Sequence, residues 1–285
     1  MDRLGIECLS VFGLPPVDLV DLAADLGCGH VSMFMHGLPL VPSLGYPPFS
    51  ITDDIALRKN LMAATQQLGV RISMADGFLV LPGADMHSFG AELDVVAELG
   101  VPQINAVSLE PDRRHTFDQI GALAEEAAER GIGTLIEAVP GLAVGDLPTA
   151  RAAVDYIARD DVSLLIDTMH LVRSGSTAAD LAAIDPTMIG YAQLNDTTLQ
   201  PRGENYAQEA MYERLVPGEG ELPLAEILAA LPDHIVIGLE VPQRSLALAG
   251  VPPVDRLRPC VEAARSLLNS PWPKEPTMGR PSAAD

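Results

Sequence analysis

One arrangement recurs along nearly the whole chain: an Ala/Leu-rich helical run, a glycine, and then a short apolar strand. DDIALRKNLMAATQQLG closes at Gly69 ahead of VRISMA, and FDQIGALAEEAAERG closes at Gly131 ahead of IGTLIEA. Glycine at that point is helix C-cap chemistry leading into the next strand. Strands joined through such helices pair in parallel, because a parallel pair needs a crossover connection.

Strand-like runs are expected at 4–12, 30–35, 70–75, 103–108, 132–138, 162–167, 189–194 and 235–240. Eight units of about 35 residues each predict a closed (β/α)8 TIM barrel. No Gly-x-Gly-x-x-Gly fingerprint follows the first strand, which argues against an open dinucleotide-binding sheet. Composition agrees, since 48% of residues are hydrophobic and only 4% aromatic. The core must then be built from aliphatic side chains, the filling of a parallel barrel. The barrel is expected over 1–270. A Pro-rich tail, 271–285, follows it without apolar periodicity and is available as an oligomer contact.

Acidic residues number 39 against 18 basic, a net charge of −21. Such a surface repels a phosphate backbone, so a small-molecule substrate is expected and nucleic acid is not. Cys8, Cys28 and Cys260 lie far apart with no Cys-x-x-Cys spacing, which speaks against a disulfide framework and a thiolate zinc site. No apolar run is long enough for a membrane span, and the N-terminus runs straight into a strand; a cytoplasmic location is expected.

Active sites of such barrels lie at the C-terminal ends of the strands. TLIEAVP puts Glu137 at the end of strand five and LLIDTMH puts Asp167 at the end of strand six. YAQLNDTT brings Gln193 and Asn195 on strand seven with Asp196 just after, and IVIGLEVP closes strand eight with Glu240. One acidic residue after a strand is usually a helix N-cap or a solvated charge. Three carboxylates converging from neighbouring strands repel one another unless a cation neutralises them. A metal held by Glu137, Asp167, Gln193 and Glu240 is the simplest resolution, and its all-oxygen donors suit Mg²⁺ or Mn²⁺.

The set Glu137, Asp167-x-x-His170, Gln193 and Glu240 resembles the xylose-isomerase-like barrels, the sugar phosphate isomerase/epimerase superfamily. Arg214-Leu-Val-Pro-Gly-Glu-Gly-Glu221 resembles that family's Arg-x-x-Pro-Gly-x-Gly stretch between strands seven and eight. Most members carry His where this chain has Gln193; Gln there, together with Arg214, resembles the bacterial 3-dehydroshikimate dehydratases of the same superfamily.

The resemblance implies proton abstraction beside a metal-bound carbonyl, with Glu137 and Glu240 as acid and base. His170 lies within reach of a substrate oxygen. The outcome is isomerisation or epimerisation of a sugar-like or polyol-derived hydroxy-ketone; the alternative is a lyase that eliminates water after the same first step. Arg214, His36, Glu7 and Asp76 are candidate substrate-binding residues, and Arg202 is a lid candidate from its loop. An abasic-site endonuclease shares the fold, but the charge and a total of six histidines count against it.

Overall fold

The computed structural model of the chain describes residues 3–203 and 205–270. Its eight strands are β1 (Leu4–Ile6), β2 (His30–Phe34), β3 (Arg71–Val80), β4 (Gln103–Ser108), β5 (Gly133–Glu137), β6 (Val162–Asp167), β7 (Ile189–Leu194) and β8 (Val236–Leu239). Neighbours pair in parallel in chain order, and β8 returns to pair with β1, closing the barrel. The fold is the expected TIM barrel. Residues 271–285, including the expected tail, lie outside the described residues. No described helix is long and apolar enough to cross a membrane.

Helices start where an aspartate takes up the free N–H groups of the first turn. Asp54, Asp112 and Asp146 each accept from the backbone N–H three residues on, opening the helices Ile55–Leu68, Arg113–Ala128 and Leu147–Ile157. The helix Ile55–Leu68 ends at Gly69 with φ 69°, the left-handed cap that its sequence predicts.

Two strands depart from expectation. The run 4–12 keeps strand geometry only to Ile6, after which Cys8–Val11 forms a 3-10 turn. There the Ser10 hydroxyl donates to the Leu239 carbonyl and accepts from the Val241 N–H, so the chain is tied back onto β8. Apolar character alone could not separate a buried turn from a strand. β3 runs five residues beyond its expected end, with its register against β4 interrupted between Ala75 and Phe78.

Side chains alternate along a strand, so residues two apart share a face. Met74, Leu135, Leu165 and Tyr191 form one buried cluster, with Val236 packed against it. Two positions further along the same strands stand Asp76, Glu137, Asp167, Gln193 and Gly238. The apolar layer is thus the floor, and the polar residues are the next layer toward the C-terminal mouth.

Candidate metal centre and its surroundings

Adjacent registers bring the polar layer together. Asp167 pairs with Gln193 across β6 and β7, and Gln193 pairs with Gly238 across β7 and β8. Glu240 follows β8, its N–H bonded to the Leu194 carbonyl. Glu137, Asp167, Gln193 and Glu240 are all at least nine-tenths buried.

Asp167 does two jobs. Its Oδ1 accepts from the His170 N–H at 2.8 Å, capping the short helix Thr168–Arg173. Its Oδ2 accepts from Asn195 Nδ2 at 2.8 Å and from Arg214 Nη1 at 2.5 Å. Arg214 Nη1 is also 2.9 Å from Glu240 Oε2. The guanidinium therefore bridges two of the three carboxylates, a role that the expected substrate contact did not include. Burial pushes the Asp167 carboxyl up, but Arg214 and His170 hold it below its ordinary value. Burial and the neighbouring Asp167 and Glu137 carboxylates carry Glu240 well upward despite the same arginine.

Arg214 is positioned by Asp196. The Asp196 carboxylate accepts from the backbone N–H groups of Gly218, Gly220 and Leu222, holding the Pro-Gly-x-Gly turn. A Cβ at Gly220 would overlap the Asp196 carboxylate and the Thr197 carbonyl, so only glycine permits the approach. Backbone bonds between Asp196 and Leu215 in both directions complete the link.

Glu137 Oε2 accepts from Asn105 Nδ2 at 2.7 Å, and its Oε1 lies 3.4 Å from His170 Nε2. Burial, with Asp167 and Asp76 nearby, raises the Glu137 carboxyl to about 8. Loss of hydration lowers the His170 imidazole to about 4, which makes it neutral at pH 7. Its Nδ1 meets the Tyr206 hydroxyl at 2.5 Å. Glu137, Asp167 and His170 each offer a ligand atom within 4.8 Å of the others, a group able to hold a metal.

Three carboxylates less one guanidinium leave two negative charges when all are ionised, the complement of one divalent cation. Gln193 Oε1 is buried without a hydrogen-bond partner among the described residues. A hard cation fits this donor set.

The other candidates divide. Glu7 is fully buried beside the cluster, accepting from Tyr191 Oη at 2.7 Å and from Gln193 Nε2 at 3.4 Å. Half-buried Asp76 joins through Asn105 Nδ2 at 3.4 Å. His36 instead bonds Glu92 at 2.8 Å, with its side chain 42% exposed. Arg202 bonds Glu209 on the helix Tyr206–Tyr212.

Asn105, Tyr191 and Tyr206, none of them among the expected site residues, also carry contacts in the centre. Asn105 had a usable signal, since it is the one polar side chain amid the apolar residues Ile104, Ala106 and Val107. Tyr206 had none, because its approach to His170 depends on a loop.

The model of the xylose isomerase-like TIM barrel family matches residues 20–267. The chain belongs to that family. Inosose isomerase from Halalkalibacterium halodurans (strain ATCC BAA-125 / DSM 18197 / FERM 7344 / JCM 9153 / C-125) is 25% identical over 153 residues. That match takes in 50% of this chain and 53% of the relative, about half the length of each. Among solved structures, the IolI protein with a bound zinc atom superposes with a TM-score of 0.76 at 18% identity, covering 93% of this chain and 97% of that one. The probable 3-DHS dehydratase AsbF from Bacillus anthracis gives 0.71 at 14% identity, covering 92% and 98%. At such identities the family member shares the fold with these two structures.

Proposed function

We propose that the chain is a divalent-metal-dependent isomerase or epimerase that removes a proton beside the carbonyl of a sugar-like or polyol-derived hydroxy-ketone. The observation that carries this reading is the buried convergence of Glu137, Asp167, His170 and Glu240 at the C-terminal mouth of the barrel. Glu137, Asp167, Gln193 and Glu240 would hold the ion, with Mg²⁺ or Mn²⁺ preferred by the oxygen donors. When bound, a divalent ion supplies Lewis-acid polarisation of a carbonyl, which acidifies the adjacent C–H.

The remaining work falls to side chains. Glu137 and Glu240 stand on β5 and just after β8, so a substrate between them meets one carboxyl on each face. One takes the proton and the other returns it. Neutral His170 has a ring nitrogen 3.4 Å from Glu137 and can hydrogen-bond a substrate oxygen. Asn105, bonded to Glu137 Oε2, keeps that carboxyl from rotating. The name of the inosose isomerase relative supports the same class, and the zinc atom bound in the IolI structure supports a divalent ion.

Gln193 favours a second reading, a lyase that expels water after the same proton abstraction. The resemblance of Gln193 and Arg214 to the dehydroshikimate dehydratases supports it, as does the fold shared with AsbF. Product NMR in deuterated water, on metal-loaded protein with a panel of cyclic and linear hydroxy-ketones, separates the two. Deuterium entering beside the carbonyl without loss of mass supports isomerisation. Loss of water with a new conjugated ultraviolet absorbance supports the lyase, and no change across the panel with either metal sinks both.

A further inference from the structure

An amide is a poor substitute for an imidazole as a ligand unless something decides which of its two ends faces the ion. Gln193 Nε2 lies 3.0 Å from Glu240 Oε1 and 3.4 Å from Glu7 Oε2. Its two N–H hydrogens thus have a carboxyl acceptor each. The carbonyl Oε1 is left as the one polar atom of this side chain with no partner among the described residues. With both carboxyls ionised, turning the amide over would set oxygen against oxygen on two sides and leave two buried N–H donors unmade, a costly exchange.

Glu7 is itself held for this purpose. It follows β1, on the far side of β8 from β7, and reaches Gln193 across β8. Tyr191 Oη fixes its other oxygen, Oε1, at 2.7 Å. Its side chain passes directly over Gly238, where any Cβ would overlap the Glu7 carboxyl. A glycine inside a buried strand weakens the strand unless another group needs the space. Here Glu7 fills it.

We infer that Glu7 is a positioning residue that locks the Gln193 amide with its oxygen free for a divalent ion. Glu7 acts through Gln193 and does not touch the ion. The inference rests on the metal-centre reading above and assigns Glu7 a role other than substrate contact.

Mn²⁺ affinity, read by electron paramagnetic resonance on the full chain, tests it without any substrate. Glu7→Leu removes the acceptor and is expected to weaken Mn²⁺ binding about tenfold, the usual scale for a group behind a ligand. Glu7→Gln keeps an acceptor oxygen and is expected to restore affinity to within about threefold of wild type. In a Gln193→Ala background, Glu7→Leu is expected to add nothing, because the group it acts through is gone.

Wild-type affinity in Glu7→Leu overturns the inference, and so does a loss that adds in full to that of Gln193→Ala. Absence of Mn²⁺ binding in wild type overturns the metal centre and the inference together. Unchanged affinity in Gln193→Ala, with a loss in Glu137→Gln, overturns the inference and removes Gln193 from the ligand set, while a metal centre on the carboxylates stands. Should Glu7→Leu not fold, the wild-type Gln193 side-chain amide protons, assigned by their loss in Gln193→Ala, serve instead. Slow exchange of both protons supports the inference, and exchange at the rate of a free amide overturns it.

Discussion

Arg214 and Asp167 form a buried ion pair, Nη1 to Oδ2 at 2.5 Å, inside the group of carboxylates that a metal would neutralise. The guanidinium supplies one of the positive charges that the acidic strand ends require. The pair also joins the Pro-Gly-x-Gly turn to the end of β6.

Removing one partner of such a pair leaves a buried charge uncompensated. Arg214→Met is expected to cost about 3–5 kcal/mol of stability in metal-free protein, read by urea unfolding. The loss should be smaller in saturating Mn²⁺, because a divalent ion would restore part of the compensation. An equal loss with and without metal would mean that the ion does not share the Asp167 and Glu240 carboxylates.

Gly220→Ala forces a methyl group into the Asp196 carboxylate and the Thr197 backbone. Its expected cost is about 1–3 kcal/mol, the scale of overpacking. Turnover should fall more steeply than stability, since the turn it distorts carries Arg214. A variant with lowered Tm and wild-type kcat/KM would sever that link.

Glu137→Gln and Glu240→Gln each remove one ionisable carboxyl from the centre while keeping its shape. Both are expected to abolish turnover and to weaken Mn²⁺ affinity, measured by calorimetry. Gln193→His should be far milder and should shift preference from Mg²⁺ toward Mn²⁺ or Zn²⁺, as an imidazole donor favours. Unchanged Mn²⁺ affinity in both glutamate variants would remove them from the ligand set.

Burial raises the Glu7 carboxyl from 4.5 to about 7, against the lowering effect of its Ser32 and Tyr191 hydrogen bonds. The folded chain therefore binds the Glu7 proton more tightly than the unfolded chain does. The resulting stabilisation is fully present below pH 4.5 and is lost as pH rises through about 7. It amounts to about 3 kcal/mol over that window. Urea unfolding of metal-free protein at pH 5 and pH 8 should show a smaller pH-dependent loss for Glu7→Gln than for wild type. Identical pH dependence in the two proteins would place the Glu7 carboxyl at an ordinary value in the fold.

The architecture was legible because its signals are local. Helix, glycine and strand are set by neighbours within a few residues, so eight units could be counted without knowing how they close. Glu137, Asp167 and Gln193 stood out because each ends or interrupts an apolar strand run, and in the fold they stand two positions beyond Leu135, Leu165 and Tyr191. Asp167 is the helix cap that an acidic residue after a strand usually is, through Oδ1, while its Oδ2 meets Arg214 and Asn195. Where burial comes from a turn, as at Cys8–Val11, apolar composition was not enough.

The sequence by itself determined the barrel and put Glu137, Asp167, Gln193 and Glu240 at the C-terminal ends of its strands. Only tertiary structure decided what compensates their charge and how they are held. Arg214 meets Asp167 across 47 positions of chain, and Gln193 meets Glu7 across 186. Closure of β8 onto β1 brings Glu7 over Gly238, and the Asp196-held turn brings Arg214 inward. No periodicity or local preference encodes such approaches, because the energy that fixes them exists only once the barrel has closed.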